Sequence, residues 1–89
     1  MLKLGQTRTF KKCLKKYKHN KVVLAELKGV VKILINEQPI PAKYLDHGLK
    51  GKHKGIRELH LKPDVLLLYF NKDDEKIVLV AIGSHSEIF

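Results

Sequence analysis

The stretch that decides the fold is G55-IRELHLKPD-V65-LLLYF-N71, followed by K76-IVLVAI-G83. From Gly55 onward the apolar residues recur every second position. Arg57, Leu59 and Leu61 point one way; Ile56, Glu58 and His60 point the other. Lys62-Pro63-Asp64 is a turn signal. Val65 to Phe70 is apolar enough to be a central strand. Asn71 to Glu75 is a polar turn, and Lys76 to Ile82 is a further strand. Three strands in this order make an antiparallel meander, with its connections at alternate ends.

Upstream the period is different. Phe10, Cys13, Leu14 and Tyr17 follow the i, i+3, i+4, i+7 spacing of an amphipathic helix. Thr7 or Thr9 suits its cap, and Lys11, Lys12, Lys15, Lys16 and Lys18 form its other face. His19-Asn20 breaks the pattern. Val23, Leu27, Val30, Val31 and Leu34 make a second stripe about four turns long. Leu2 and Leu4 alternate with Lys3 as the start of a short strand. The expected order is therefore β-α-α-β-β-β: an α+β domain, with two N-terminal helices on one face of an antiparallel sheet of about four strands. Residues 1–89 suffice for a single domain.

Between helices and meander lies NEQPIPAKYLDHGLKGKHKG, residues 36–55. Pro39 and Pro41 oppose helix, and Gly48, Gly51 and Gly55 punctuate the rest. A connection this long in a small domain often carries function.

The charge is uneven. The chain holds 18 Lys+Arg against 9 Asp+Glu, a net of +9. Residues 1–62 have a net of +12 and residues 63–89 a net of −3. Such a surface suits polyanions: nucleic acid, ribosome or an acidic protein. No apolar run has membrane-spanning length. The single cysteine, Cys13, rules out an internal disulfide. A cytoplasmic location is expected.

Five histidines invite a test for metal. None pairs with another at the close spacing of a zinc site, although His47 and His53 share one loop. Acid–base chemistry fits the residues better, because imidazole titrates near neutral pH. His60 and Asp64 flank the Lys62-Pro63 turn. His85 follows the last strand across Gly83-Ser84, and a meander returns that strand's end towards Asp64. His47 lies in the loop entering the same sheet. His47, His60, Asp64 and His85 are thus expected at one end of the sheet, beside the cations Lys50, Lys52, Lys54 and Arg57. That set suits cleavage of RNA by its own 2′-OH: one group takes a proton, another gives one, and cations offset the charge on phosphorus. Ser84 and Glu87 form an S-x-x-E capping box, which would fix His85 at the start of a short C-terminal helical turn. Phe89 is suited to stacking on a base.

Three blocks, YLDHGLKG, GIRELHLKPDVLLLY and GSHSEIF, resemble the YafQ-like branch of the RelE/ParE toxin superfamily. The shared pattern is DH-x-L-x-G, R-x-x-H-x-x-P-D and G-x-H-x-x-x-F, and the likeness runs along essentially the whole chain. The resemblance implies a toxin of a type II toxin–antitoxin pair that enters the ribosomal A site and cuts mRNA there. It implies catalytic roles for His47, His60, Asp64 and His85 without metal or cofactor, and RNA contacts for Arg57 and Phe89. By analogy His85 is the acid, and His47 or Asp64 the base. It also implies an acidic antitoxin as partner. Gly48 stands where relatives often have proline, and Lys52-His53 where some have tryptophan, which bears on loop shape. The superfamily's gyrase poisons generally lack this histidine set. The alternative from charge alone is a non-catalytic basic protein that binds RNA or the ribosome.

Overall fold

The computed structural model describes all of residues 1–89. Its elements are β1 (Lys3–Gln6), α1 (Arg8–Leu14), α2 (Lys21–Ile35), β2 (His47–Gly48), β3 (Arg57–Lys62), β4 (Val65–Lys72), β5 (Lys76–Gly83) and α3 (His85–Ile88). Short 3-10 turns cover Lys15–Tyr17, Ala42–Tyr44 and Gly51–His53.

The α+β class and the β3–β4–β5 meander agree with the sequence pattern, but three details differ. The sheet has five strands in the order β1-β5-β4-β3-β2. It is mixed, because β1 runs parallel to β5, with Lys3 opposite Lys76. The crossover through α1 and α2 returns the chain to the opposite edge, which a short N-terminal strand does not announce. The fifth strand is β2, two residues from the long connection that pair with Glu58 and Arg57. Its brevity hides it from any periodicity. The first helix is also shorter than its apolar stripe: α1 stops at Leu14 and tightens into a 3-10 turn through Tyr17.

Local chemistry explains these elements. The Thr7 hydroxyl accepts from the Phe10 amide at 3.0 Å and donates to the Val80 carbonyl at 2.7 Å. One side chain therefore caps α1 and ties it to β5. Asn20 caps α2 by accepting from the Val23 amide at 3.1 Å. The α2 stripe Val23, Leu27, Val30 and Leu34 is buried, and Phe10 joins it at 1% exposure. These residues meet Leu59, Leu61, Leu67, Tyr69, Ile77, Leu79 and Ile82 in one core. Emptying the Phe10 position would cost about 3–5 kcal/mol.

The other face of the sheet has no long helix. Leu66, Leu68 and Ala81 are nonetheless buried there. The register aligns Glu58, Leu68 and Ala81 in one row and His60, Leu66 and Gly83 in the next. The polar groups of β3 thus stand beside an apolar floor, two strands from the turn that carries His85.

Candidate active site

The site forms around a carboxylate that spacing had set on the His60 face without marking it as functional. Glu58 is 7% exposed, the one charged residue among the buried set. Its Oε1 lies 3.5 Å from His47 Nε2 and 3.7 Å from His60 Nε2. One acid therefore sits between two imidazoles that come from different elements. β2 places His47 directly opposite Glu58, and His60 follows Glu58 by two along β3. The period-two pattern held the signal, since residues i and i+2 share a face.

His47 is oriented from its other side. Its Nδ1 lies 2.8 Å from the Leu45 carbonyl. A carbonyl only accepts, so Nδ1 carries the hydrogen and Nε2 faces Glu58. Leu45 has φ of 51°, a left-handed conformation that a leucine adopts only when its surroundings hold it there.

Asp46 is a second residue that sequence reasoning passed over. It accepts from Arg57 Nη2 at 2.7 Å and from Nε at 3.2 Å, and the Tyr69 hydroxyl donates to it. Arg57 is thus held in a fork against Asp46, and this bond is the main reason its proton is bound more tightly than usual. Burial first, then the bond to Asp46, raises the Tyr69 pKa and keeps its hydroxyl a donor. Of the four expected loop-side cations, Lys50, Lys52 and Lys54 are exposed, while Arg57 is the one committed to a carboxylate.

Asp64 is exposed on the β3–β4 turn, and the carboxylate that His60 meets is Glu58. Asp64 lies near Tyr17 instead. There it helps, after burial and Glu87, to raise the tyrosine's pKa. Asp64 and Glu87 share that neighbourhood, so the end of β5 does return towards the turn.

His85 is the first residue of α3. The capping box is complete: Ser84 Oγ accepts from the Glu87 amide at 3.3 Å, and the Ser84 amide donates to Glu87 Oε1 at 2.8 Å. Glu87 Oε2 also takes a hydrogen bond from Lys16 Nζ at 2.9 Å, reaching across 71 residues. The Ser84 amide, then Lys16, pulls the Glu87 pKa down to about 2. Gly83 precedes the turn, and a Cβ there would come within 3.2 Å of Glu87 Oε1. Phe89 is 45% exposed. Its ring lies 4.9 Å from that of His85 and meets His53 edge-on at 5.5 Å. His53 is a third residue outside the expected set, and its contact joins the loop to the tail.

No three His, Cys, Asp or Glu side chains are gathered closely enough to hold a metal ion. No helix is long and apolar enough to cross a membrane.

The fold of this chain is shared with small bacterial toxins. A family model described as bacterial toxin of type II toxin–antitoxin system, YafQ, matches residues 2–89. The chain belongs to the YafQ toxin family. It is 38% identical over 65 residues to the mRNA interferase toxin YafQ of Escherichia coli, covering 72% of this chain and 70% of that one. Among solved structures, a metal-bound toxin from Helicobacter pylori is 48% identical with a TM-score of 0.90, and each chain is covered in full. The toxin in the Escherichia coli DinJ–YafQ complex is 30% identical with a TM-score of 0.87, over 100% of this chain and 99% of that one.

Proposed function

We propose that this toxin is an endoribonuclease that cleaves mRNA in the ribosomal A site. The observation that carries the reading is the Glu58 carboxylate between His47 and His60, with the His85–Phe89 pair beyond the end of β5. The Escherichia coli relative named as an mRNA interferase supports the choice of substrate.

The reaction needs no group beyond the chain and the RNA. His47 Nε2 takes the proton of the 2′-OH, and the oxygen attacks the adjacent phosphorus. The bond from phosphorus to the 5′-oxygen breaks, and His85 donates the proton that this oxygen requires. The products are a 2′,3′-cyclic phosphate and a free 5′-OH. Glu58 steadies the positive charge that His47 gains and orients His60 towards the phosphate. Asp64 is the other candidate base. Lys50, Lys52 and Lys54 attract the strand, and Arg57 adds its charge once it turns from Asp46. Phe89 stacks on a base.

A second protein belongs to this reading. The DinJ–YafQ complex pairs a similar toxin with its antitoxin, and the +9 chain suits an acidic partner.

RNA cleavage by wild type and His85→Ala, each with EDTA, tests the proposal. Loss of a general acid should slow cleavage by about 10²–10⁴-fold. Equal rates would remove His85 from the mechanism, and loss of wild-type activity in EDTA would show that a metal takes part. An absence of cleavage by any preparation, with RNA still bound, would leave a non-catalytic binding protein.

A further inference from the structure

We infer that the hollow beyond His60 is a second RNA subsite, shaped for a nucleobase that carries an amino group. The inference rests on the ribonuclease reading and adds the recognition of a neighbouring nucleotide. His60 stands on the rim of a pocket of ≈ 340 Å³, within the range of small-ligand sites. None of His47, Glu58, His85 or Phe89 lines it. It is a separate space that shares one imidazole with the candidate active site.

The topology opens this space. β2 covers only Arg57 and Glu58 of β3, so the outer edge of β3 from Leu59 onward has no strand beside it. The pocket lies against that edge, closed by α2 and by the Ala42–Tyr44 turn. Leu45, Leu61 and Pro63 give it apolar surface, and Lys43 and Lys62 give it positive charge. Leu45 is 60% exposed, one of five large apolar side chains left so. Apolar walls with cations beside them suit a base and its phosphate.

Glu26 supplies the discrimination. Its Oε2 accepts from the buried Tyr44 hydroxyl at 2.8 Å, while Oε1 has no side-chain donor. Lys43 lies 5.1 Å over the Tyr44 ring. The free oxygen is a fixed acceptor on a pocket wall. Adenine, cytosine and guanine each offer an exocyclic amino group to it. Uracil offers one N–H flanked by two carbonyls, which the carboxylate repels. Preference for an amino-bearing base over uracil should be about tenfold or more.

The test reads binding, so that it stands apart from catalysis. RNA tetranucleotides made uncleavable by 2′-deoxy substitution, differing only in adenine or uracil beside the reacting phosphate, are titrated into the full chain and followed by NMR. Shifts at residues 43–45 and 60–63, with adenine bound about tenfold tighter, are expected. Glu26→Gln should bring the ratio close to one, and Lys62→Ala should weaken both oligonucleotides about equally. An unchanged ratio in Glu26→Gln overturns the inference. So do shifts confined to residues 46–55 and Phe89 in wild type, a result that does not depend on any variant folding. Loss of antitoxin binding with RNA binding intact would also overturn it, and would make the hollow a protein-docking site. Selective binding of these probes, with no cleavage of the matching all-ribose oligonucleotides, would instead remove the ribonuclease reading and leave the subsite standing.

Discussion

The two halves of the site are held by different means. On β3 and β2, Glu58 is buried between His47 and His60, and the backbone register brings the three together. At the tail, His85 and Phe89 are exposed, and the four-residue α3 holds them through a capping box and one surface ion pair. The first half is part of the fold and is as stable as the sheet. The second is attached to the fold by a few hydrogen bonds and can open without unfolding it. Rigid acid–base geometry is useful where a proton must be taken from a fixed position. A turn that yields is useful where a nucleotide must enter and leave.

This contrast can be broken at several points. The largest effect should come from deleting residues 85–89. Cleavage should fall by at least about 10²-fold, as for loss of a general acid, while the thermal midpoint changes by only a few degrees, because none of the five residues is buried. Full-rate cleavage by the truncated chain would show that the tail is dispensable. A large fall in the midpoint would show that it belongs to the fold.

Glu58→Gln should have the next largest effect. The amide keeps the shape and removes the charge between His47 and His60, so cleavage should fall by roughly 10–100-fold. An unchanged rate would mean that Glu58 only fills space.

The smallest effect is the tail's response to acid. Glu87 titrates at about 2 in the folded chain against an ordinary 4.5. A depressed pKa gives stability that is complete above the ordinary value and is lost as pH falls towards about 2. The amides of Glu87, Ile88 and Phe89 should therefore exchange faster as pH falls below about 4.5, relative to those of β4. Lys16→Ala should bring part of this loosening to neutral pH. Equal protection in α3 and β4 across that range would show that the two halves are held alike.

Much of this was legible in the chain. The period-two run fixed β3, β4 and β5, and the Leu59/Leu61 against Glu58/His60 division is the one observed. Thr7 and Ser84 mark helix starts by side-chain chemistry that acts within three residues. What was not legible depends on distance along the chain. The parallel placement of β1 is decided by β5, 73 residues away. The two residues of β2 have no pattern of their own. Asp64 looked like the partner of His60 because they flank one turn, yet the strand's pleat sends His60 to Glu58. Arg57 was expected among the free cations, and only the approach of Asp46 from the loop commits it elsewhere.

The parallel pairing of β1 with β5 has a consequence for synthesis. Thr7 bonds to Val80 across 73 residues, and Lys3 has no strand partner until Lys76 has been made. The floor under the proposed catalytic groups includes Ala81 of the same strand, and His85 and Phe89 come later still. A nascent chain that stops short of β5 therefore has neither the β1–β5 pairing nor the proposed proton donor. Such long-range pairing also forms slowly. On the proposed reading, a chain interrupted before β5 is thus inert.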